Sequence, residues 1–311
     1  MRHAMHPRYA SPRSRVLTIA LPIGLAVTAL GALWAFTEVP SVAEVAEEVV
    51  PPSPAVVAHL PGIEFASVDA AAPCATPEVS DALAAGDDEA VVAGFGGGVA
   101  FRDAVLVGNA PCISLTDPMH HWVVVNKLQA LAPVDYEPAA MTEAPIQMTT
   151  ASRLIDADAA AALGNMTAAL QNSGAGELGM NNAYRSYRLQ VANYSSQVSA
   201  AGQAEADLSS ARPGFSEHQT GFAVDVVACG SGCGEIGAFG GTAESDWIAA
   251  HAWEYGFIVR YEAGATSVTG YEPEPWHLRY IGPGLASAYH EGGFHTLEEF
   301  FGLPAAPDYA H

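Results

Sequence analysis

Two short stretches of the sequence concentrate residue types that can do chemistry: Ser216-Glu217-His218-Gln219-Thr220-Gly221-Phe222-Ala223-Val224-Asp225 and Glu272-Pro273-Glu274-Pro275-Trp276-His277. His218, Asp225 and His277 together supply two imidazoles and one carboxylate. That is the donor set of a catalytic zinc, which takes about three protein ligands and keeps one position open for water. Asp225 stands in an otherwise apolar run, Phe222 to Val227, where an unpaired carboxylate would cost several kcal/mol and a metal would offset the cost. Glu274 lies three residues before His277, close enough to stand beside such a water without being a ligand, the place of a general base. Taken one by one, each of these residues also has an ordinary structural reading. A single histidine is more often a packed one, a strand aspartate more often belongs to a turn or cap, and Pro-Trp-His can be a corner of the core.

The elements that must hold these residues follow from pattern. Phe222 to Val227, Phe257 to Tyr261 and Trp276 to Tyr280 read as short strands, as does Trp122 to Val125 by its β-branched content. Ser152 to Leu170 is predicted as a helix with Ser152 as its N-cap, and Ser186 to Ala200 as a second. Glu244 to Tyr255 is a third, with Trp247, His251 and Tyr255 on one face and Gly256 as its stop, which makes His251 a core residue. Helices come early, strands late and with hairpin-like returns, so the fold class is α+β rather than a parallel βαβ sheet.

Charge is divided unevenly along the 311 residues. The chain has 34 acidic and 12 basic side chains, a formal charge of -22, yet residues 1–36 carry four arginines and no acid. The strongly negative remainder disfavours nucleic acid. Val16 to Phe36 is an uncharged run long enough to cross a hydrocarbon core of ~30 Å. Basic residues before it and acidic ones after it place the body outside the cytoplasm. Two readings stay open: an uncleaved single-pass anchor, or a signal segment cleaved near Ser41-Val42-Ala43, which would leave a secreted protein. Residues 37–61, rich in proline and glutamate, read as an extended spacer. Residues 62–118 form an Ala/Gly-rich extension of unassigned role, a small subdomain or cap, and residues 119–311 the main domain. An exported body permits disulfides among Cys74, Cys112, Cys229 and Cys233. Cys229 and Cys233 flank a flexible Gly-Ser-Gly and would close on each other, leaving Cys74 for Cys112; Cys-x3-Cys alone is poor zinc spacing.

The full pattern, Ser-x-His-x6-Asp followed by Glu-x-x-His within Glu-Pro-Trp-His-x-Arg-Tyr, resembles the VanY-type D-alanyl-D-alanine carboxypeptidases, zinc peptidases of the hedgehog and D-Ala-D-Ala peptidase fold. The likeness runs from Trp122 to Leu303. It includes Val125-Asn126-Lys127, Tyr136-Glu137-Pro138, Tyr184-Arg185-Ser186-Tyr187-x-x-Gln190 and Tyr255-Gly256-Phe257-Ile258-Val259-Arg260-Tyr261. The resemblance implies a compact α+β domain with a small antiparallel sheet flanked by helices. It implies one Zn2+ on His218, Asp225 and His277, with Glu274 as general base and acid on a zinc-bound water. Arg185 becomes the clamp on the substrate's terminal carboxylate, and Ser216 a substrate-contacting hydroxyl. The expected activity is removal of the terminal D-Ala from peptidoglycan stem peptides or a lipid-linked precursor, by a monomer at the bacterial cell membrane. An L,D-carboxypeptidase, a D,D-dipeptidase and a non-catalytic zinc-containing wall-binding domain remain alternatives on the same fold. Two departures stand out: Asn182-Ala183 replaces the family's usual Ser-Gly before Tyr-Arg, and the Cys229 to Gly241 insert has no family counterpart.

Overall fold

The computed structural model describes residues 73–150, 153–230 and 232–310. The chain separates into Met1–Glu64 and Phe65–His311, and the described residues all belong to the second unit. The basic N-terminus, the apolar run and the spacer therefore lie outside the described residues. Among the described residues no helix is long and apolar enough to cross a membrane.

Three short helices come first: α1 (Pro77–Ala85), α2 (Asp88–Gly94) and α3 (Gly98–Leu106). Three two-residue strands follow, β1 (Thr142–Glu143), β2 (Gln147–Met148) and β3 (Leu154–Ile155), and then the long helix α4 (Ala157–Ser173). Strand β4 (Leu178–Asn182) leads to α5 (Tyr187–Ala201) and α6 (Gln203–Ser209). The rest comprises β5 (Ala223–Ala228), α7 (Ala243–His251), β6 (Phe257–Tyr261), α8 (Thr266–Thr269), β7 (Glu274–Tyr280), α9 (Pro283–Glu291) and α10 (Leu297–Phe300).

Five strands form one sheet in the order β2-β4-β5-β7-β6, antiparallel except for the β2–β4 pair at one edge. Period-two alternation divides its residues between the faces. Val224, Val226, Leu278 and Tyr280 join Leu163, Met166 and Leu170 of α4 in the main core, each buried side chain contributing roughly 1.5–3 kcal/mol. The intervening Asp225, His277 and Arg279 therefore face the other way. A second core joins Val79, Val91, Phe95 and Phe101 of the first three helices to Trp122, Val124, Ile258 and Leu285. The extension is thus packed onto the main domain. Gly98 is required there, because a Cβ would collide with the Gly284 carbonyl at the start of α9.

Helix ends follow side-chain chemistry. Ser186 caps α5 by accepting from Leu189 N at 3.3 Å. The helix expected from Ser152 starts instead at Ala157, capped by Asp156, whose Oδ1 accepts from Asp158 N and Ala159 N; Leu154 and Ile155 are drawn into pairing with β1. Residues 122–125 are not a strand. They are buried, but their carbonyls are taken by side chains: Val123 O accepts from Arg279 and Val124 O from Gln129. The third helix ends at His251 and continues as a 3-10 turn, Ala252–Tyr255, to Gly256 at φ 81°. His251 is half-exposed and pairs with Glu254 at 2.8 Å, so it is not a core histidine.

Both expected disulfides are present, Cys74–Cys112 and Cys229–Cys233. The second lies over Gly179, where a Cβ would stand 2.6 Å from Cys229 Sγ. Cys74–Cys112 closes a separation of 38 residues, a loop whose cross-link is worth about 4 kcal/mol in the chain-entropy account. Replacing both cysteines by serine should lower the melting temperature by on the order of 10 °C, measured by calorimetry; an unchanged transition would show that the extension does not need the cross-link.

Candidate active site

Asp225 and His277 sit directly opposite each other on the paired strands β5 and β7, so their side chains leave the sheet on the same face. His218 comes from the 3-10 turn Glu217–Thr220, which ends at Gly221 with φ 84° and feeds into β5. His218 Nε2 is 3.2 Å from Asp225 Oδ2, and His277 Nδ1 is 3.0 Å from Asp225 Oδ1. The two rings stand perpendicular with centroids 4.9 Å apart. All three residues are buried, and their ligand atoms converge closely enough to hold one metal ion.

Each imidazole is oriented by a partner on its far nitrogen. His218 Nδ1 donates to Ala183 O at 2.8 Å, which turns Nε2 towards the cluster. His277 Nε2 donates to Glu217 Oε2 at 3.3 Å, which turns Nδ1 towards it. Such partners fix the tautomer a metal-binding histidine presents. Asn182 Nδ2 donates to Asp225 Oδ2 at 3.3 Å. The two departures from Ser-Gly thus both touch the cluster. Ala183 needs no glycine, since no non-glycine residue described has a positive φ.

Charge is shared unevenly among the three groups. Burial opposes the Asp225 carboxylate, but His218 and His277 outweigh it and hold the carboxyl well below its ordinary range. Burial lowers the His218 pKa, with Asp225 opposing and Arg185 reinforcing the shift. His277 is raised to about 9, because its hydrogen bonds to Asp225 and Glu217 overcome the burial penalty.

Glu217 was present in the first motif but carried no role in the sequence reading. It is fully buried, and its Oε1 accepts from Arg260 Nε at 3.0 Å and from Arg279 Nη1 at 2.9 Å. Arg260 in turn makes a two-pronged pair with Glu298, at 3.0 and 2.8 Å, and Asn126 donates to Glu298 as well. Two arginines and two glutamates thus balance behind His277. The missed signal was charge within buried strands: Arg260 is the one charged residue of β6, and Arg279 sits between buried Leu278 and Tyr280 in β7.

A cleft of about 360 Å³ opens over the cluster. Glu274, Arg185, Ser216, Trp276 and Ile236 line it, so the Cys-bracketed insert reaches the cleft through Ile236. Glu274 Oε2 stands 3.8 Å from His277 Nδ1. Burial pushes its carboxyl up to about 7; His277 and Arg185 lower it, while Asp225 and Glu217 raise it. Arg185 is set by its backbone N, which donates to His218 O at 3.1 Å, and its Nε is buried without a hydrogen-bond partner. No carboxylate among the described residues pairs with this guanidinium. Burial lowers its pKa, opposed by Asp225, Glu274 and Tyr261. Ser216 is buried and lines the same cleft. A larger depression of about 590 Å³ shares Tyr261 and Pro273 as walls but contains none of the cluster.

YodJ of Bacillus subtilis (strain 168), provisionally named a carboxypeptidase, is 38% identical over 192 residues, which span 60% of this chain and 69% of that protein. A family model described as D-alanyl-D-alanine carboxypeptidase matches residues 152–283. The chain belongs to the VanY family. It is therefore a member of a peptidase family, the hydrolases that remove C-terminal residues. The D-alanyl-D-alanine carboxypeptidase of Enterococcus faecalis (strain ATCC 700802 / V583) is 41% identical over 113 residues, 35% of this chain and 39% of that one. The solved structure of the LD-carboxypeptidase LdcB is 38% identical with a TM-score of 0.55, covering 60% of this chain and 87% of that chain.

The buried network makes a pH prediction. Glu217 is held below its ordinary pKa: burial opposes the charge, but Arg260, Arg279 and His277 outweigh it. Its stabilisation is therefore present above the unfolded carboxylate pKa of about 4.3 and is lost as pH falls towards the folded value. Glu217→Gln should cost about 3–5 kcal/mol at neutral pH, as removal of one partner strands buried charge, and should flatten the acid limb of stability against pH. Denaturant melts at several pH values check this; parallel acid limbs in the two proteins would contradict it.

Proposed function

We propose that this protein is a zinc-dependent D-alanyl-D-alanine carboxypeptidase that removes the terminal D-Ala from peptidoglycan stem peptides or their lipid-linked precursor. The observation that carries the reading is Arg185, a cation with no carboxylate partner among the described residues, in the same cleft as Glu274 and the His-Asp-His cluster. A guanidinium takes a carboxylate as a two-pronged fork, so the cleft selects a chain end over an internal bond.

The residues present fit a zinc ion. The donor set is two neutral-capable imidazoles and a carboxylate, and each ring already turns a specific nitrogen inwards. His218 would bind through Nε2, His277 through Nδ1 and Asp225 through its carboxylate. When bound, zinc supplies Lewis acidity and lowers the pKa of water towards ~7. Arg185 holds the terminal carboxylate, with the Ser216 hydroxyl beside it as a substrate contact. Glu274 takes a proton from the attacking water at its carboxylate and returns one to the leaving amine nitrogen. A cation in the cluster favours the ionised form of Glu274, the form needed to accept that proton.

The likeness to LdcB favours a second reading, an L,D-carboxypeptidase acting on tetrapeptide stems. Both readings release D-Ala and differ in the residue before it. For its location we propose tethering outside the bacterial cell membrane, with residues 37–61 as spacer, or secretion if the segment is cleaved; four arginines, the Val16 to Phe36 run and the acidic body support this reading.

Mass spectrometry of pentapeptide and tetrapeptide muropeptides, incubated with and without chelator, separates the readings. Loss of one alanine from pentapeptide supports the D,D reading, and cleavage of tetrapeptide alone the L,D reading. Loss of Ala-Ala would indicate a dipeptidase, and no turnover by the zinc-loaded chain a binding domain. Glu274→Gln should lower kcat by at least about 10²-fold while zinc content is retained. Arg185→Ala should raise KM more than Arg185→Lys does, and Asp225→Ala should lose zinc. A Glu274→Gln enzyme with unchanged kcat would remove Glu274 from the reaction.

A further inference from the structure

A second group of ligand-type side chains lies at the junction between the N-terminal helices and α4. His121 is buried, with its ring edge-on against Phe222 at 5.0 Å and Tyr280 at 4.8 Å. Those two rings fix its orientation, yet neither ring nitrogen is within hydrogen-bond distance of a partner among the described residues. Nδ1 is buried and unpartnered, 3.7 Å from Asp88 Oδ2. Nε2 points at two carboxylates, 4.0 Å from Asp156 Oδ1 and 3.9 Å from Asp158 Oδ2. These separations are too long for hydrogen bonds; the three ligand atoms lie within 4.8 Å of one another, a looser gathering than the active-site cluster but one that a single ion can draw together.

We propose that His121 Nε2, Asp156 and Asp158 form a second cation site, distinct from the active-site cluster, which takes a first-row divalent ion such as Zn2+. An imidazole with two carboxylates suits such an ion better than Ca2+ or Mg2+, which favour all-oxygen sites. The charge around the site favours a cation. Asp88 and Glu89 lie close by, Glu89 with its Oε1 buried and unpartnered. The nearest guanidinium, Arg279, is already committed to Glu217 and to the carbonyls of His121 and Val123. Asp156 Oδ1 also accepts from Asp158 N and Ala159 N as the cap of α4, and the N-terminal dipole of that helix opposes a cation, but both act against two formal charges on Asp156 and Asp158 themselves.

Position gives the site its role. His121 N donates to Asp88 Oδ2 at 2.6 Å, which ties this residue to α2. Asp156 N donates to Gly221 O at 3.0 Å, at the mouth of β5. An ion held between them fastens the extension and α4 to the segment whose carbonyls hold Arg279, and through Arg279 to Glu217 behind His277. The site is a structural clamp, separate from catalysis.

The test is the zinc stoichiometry of the full chain, stripped with chelator and titrated calorimetrically with Zn2+. Wild type should take two equivalents and Asp158→Asn one, with stem-peptide turnover unchanged. The double variant His218→Ala/Asp225→Ala should retain one equivalent, which the further change Asp158→Asn should abolish. Asp158 is largely exposed, so its substitution leaves packing intact even if His121→Gln destabilises the fold. One equivalent in wild type and none in the double variant would overturn the proposal. A second equivalent that survives both Asp158→Asn and His121→Gln would overturn it too. Loss of the active-site equivalent alone would leave it standing, whatever the fate of the enzymatic reading.

Discussion

The arrangement depends on one buried carboxylate. Glu217 accepts from two arginines that arrive on neighbouring strands, Arg260 on β6 and Arg279 on β7, and with its other oxygen accepts a hydrogen bond from His277 Nε2. A glutamate with no exposed surface would be untenable without such compensation. Its presence explains why strands that otherwise bury apolar side chains carry guanidinium groups. It also dictates which nitrogen His277 turns to the cluster. The ion network is thus both a scaffold between sheet, α10 and the 120s segment and the setting of a ligand's tautomer.

The same economy runs through the rest of the cluster. Asp225 is at once a strand residue, a partner of both imidazoles and the acceptor from Asn182. Strand alternation does the positioning: Val224 and Val226 are committed to the α4 face, so Asp225 has to emerge on the other, opposite His277 in register. The first three helices complete the second core around Trp122 and Ile258. Their close seat on α9 requires glycine at 98.

Much of this was legible in the sequence because local chemistry decided it. Asp225 in an apolar run, Ser186 before a helix and Gly256 after one are short-range signals, and the strands they flank fall where they were expected. The disulfide pairing followed from a flexible loop between close cysteines. What escaped was long-range. Glu217 meets partners 43 to 62 residues away, and nothing near it in the chain announces them. Residues 122–125 have the composition of a strand, but Arg279 and Gln129 satisfy their carbonyls in place of a neighbouring strand. Ser152 and Asp156 are equally able to cap a helix, and the pairing of Leu154 and Ile155 with β1 chose Asp156.

Long-range 1H–15N NMR of the metal-loaded chain tests the central claim most directly, by reading which ring nitrogen carries the proton in each active-site histidine. Opposite tautomers are expected: His218 protonated at Nδ1, facing Ala183 O, and His277 protonated at Nε2, facing Glu217. Zinc added to the stripped chain should shift His218 Nε2 and His277 Nδ1. The same tautomer in both rings, or zinc binding that leaves both nitrogens unshifted, would contradict it.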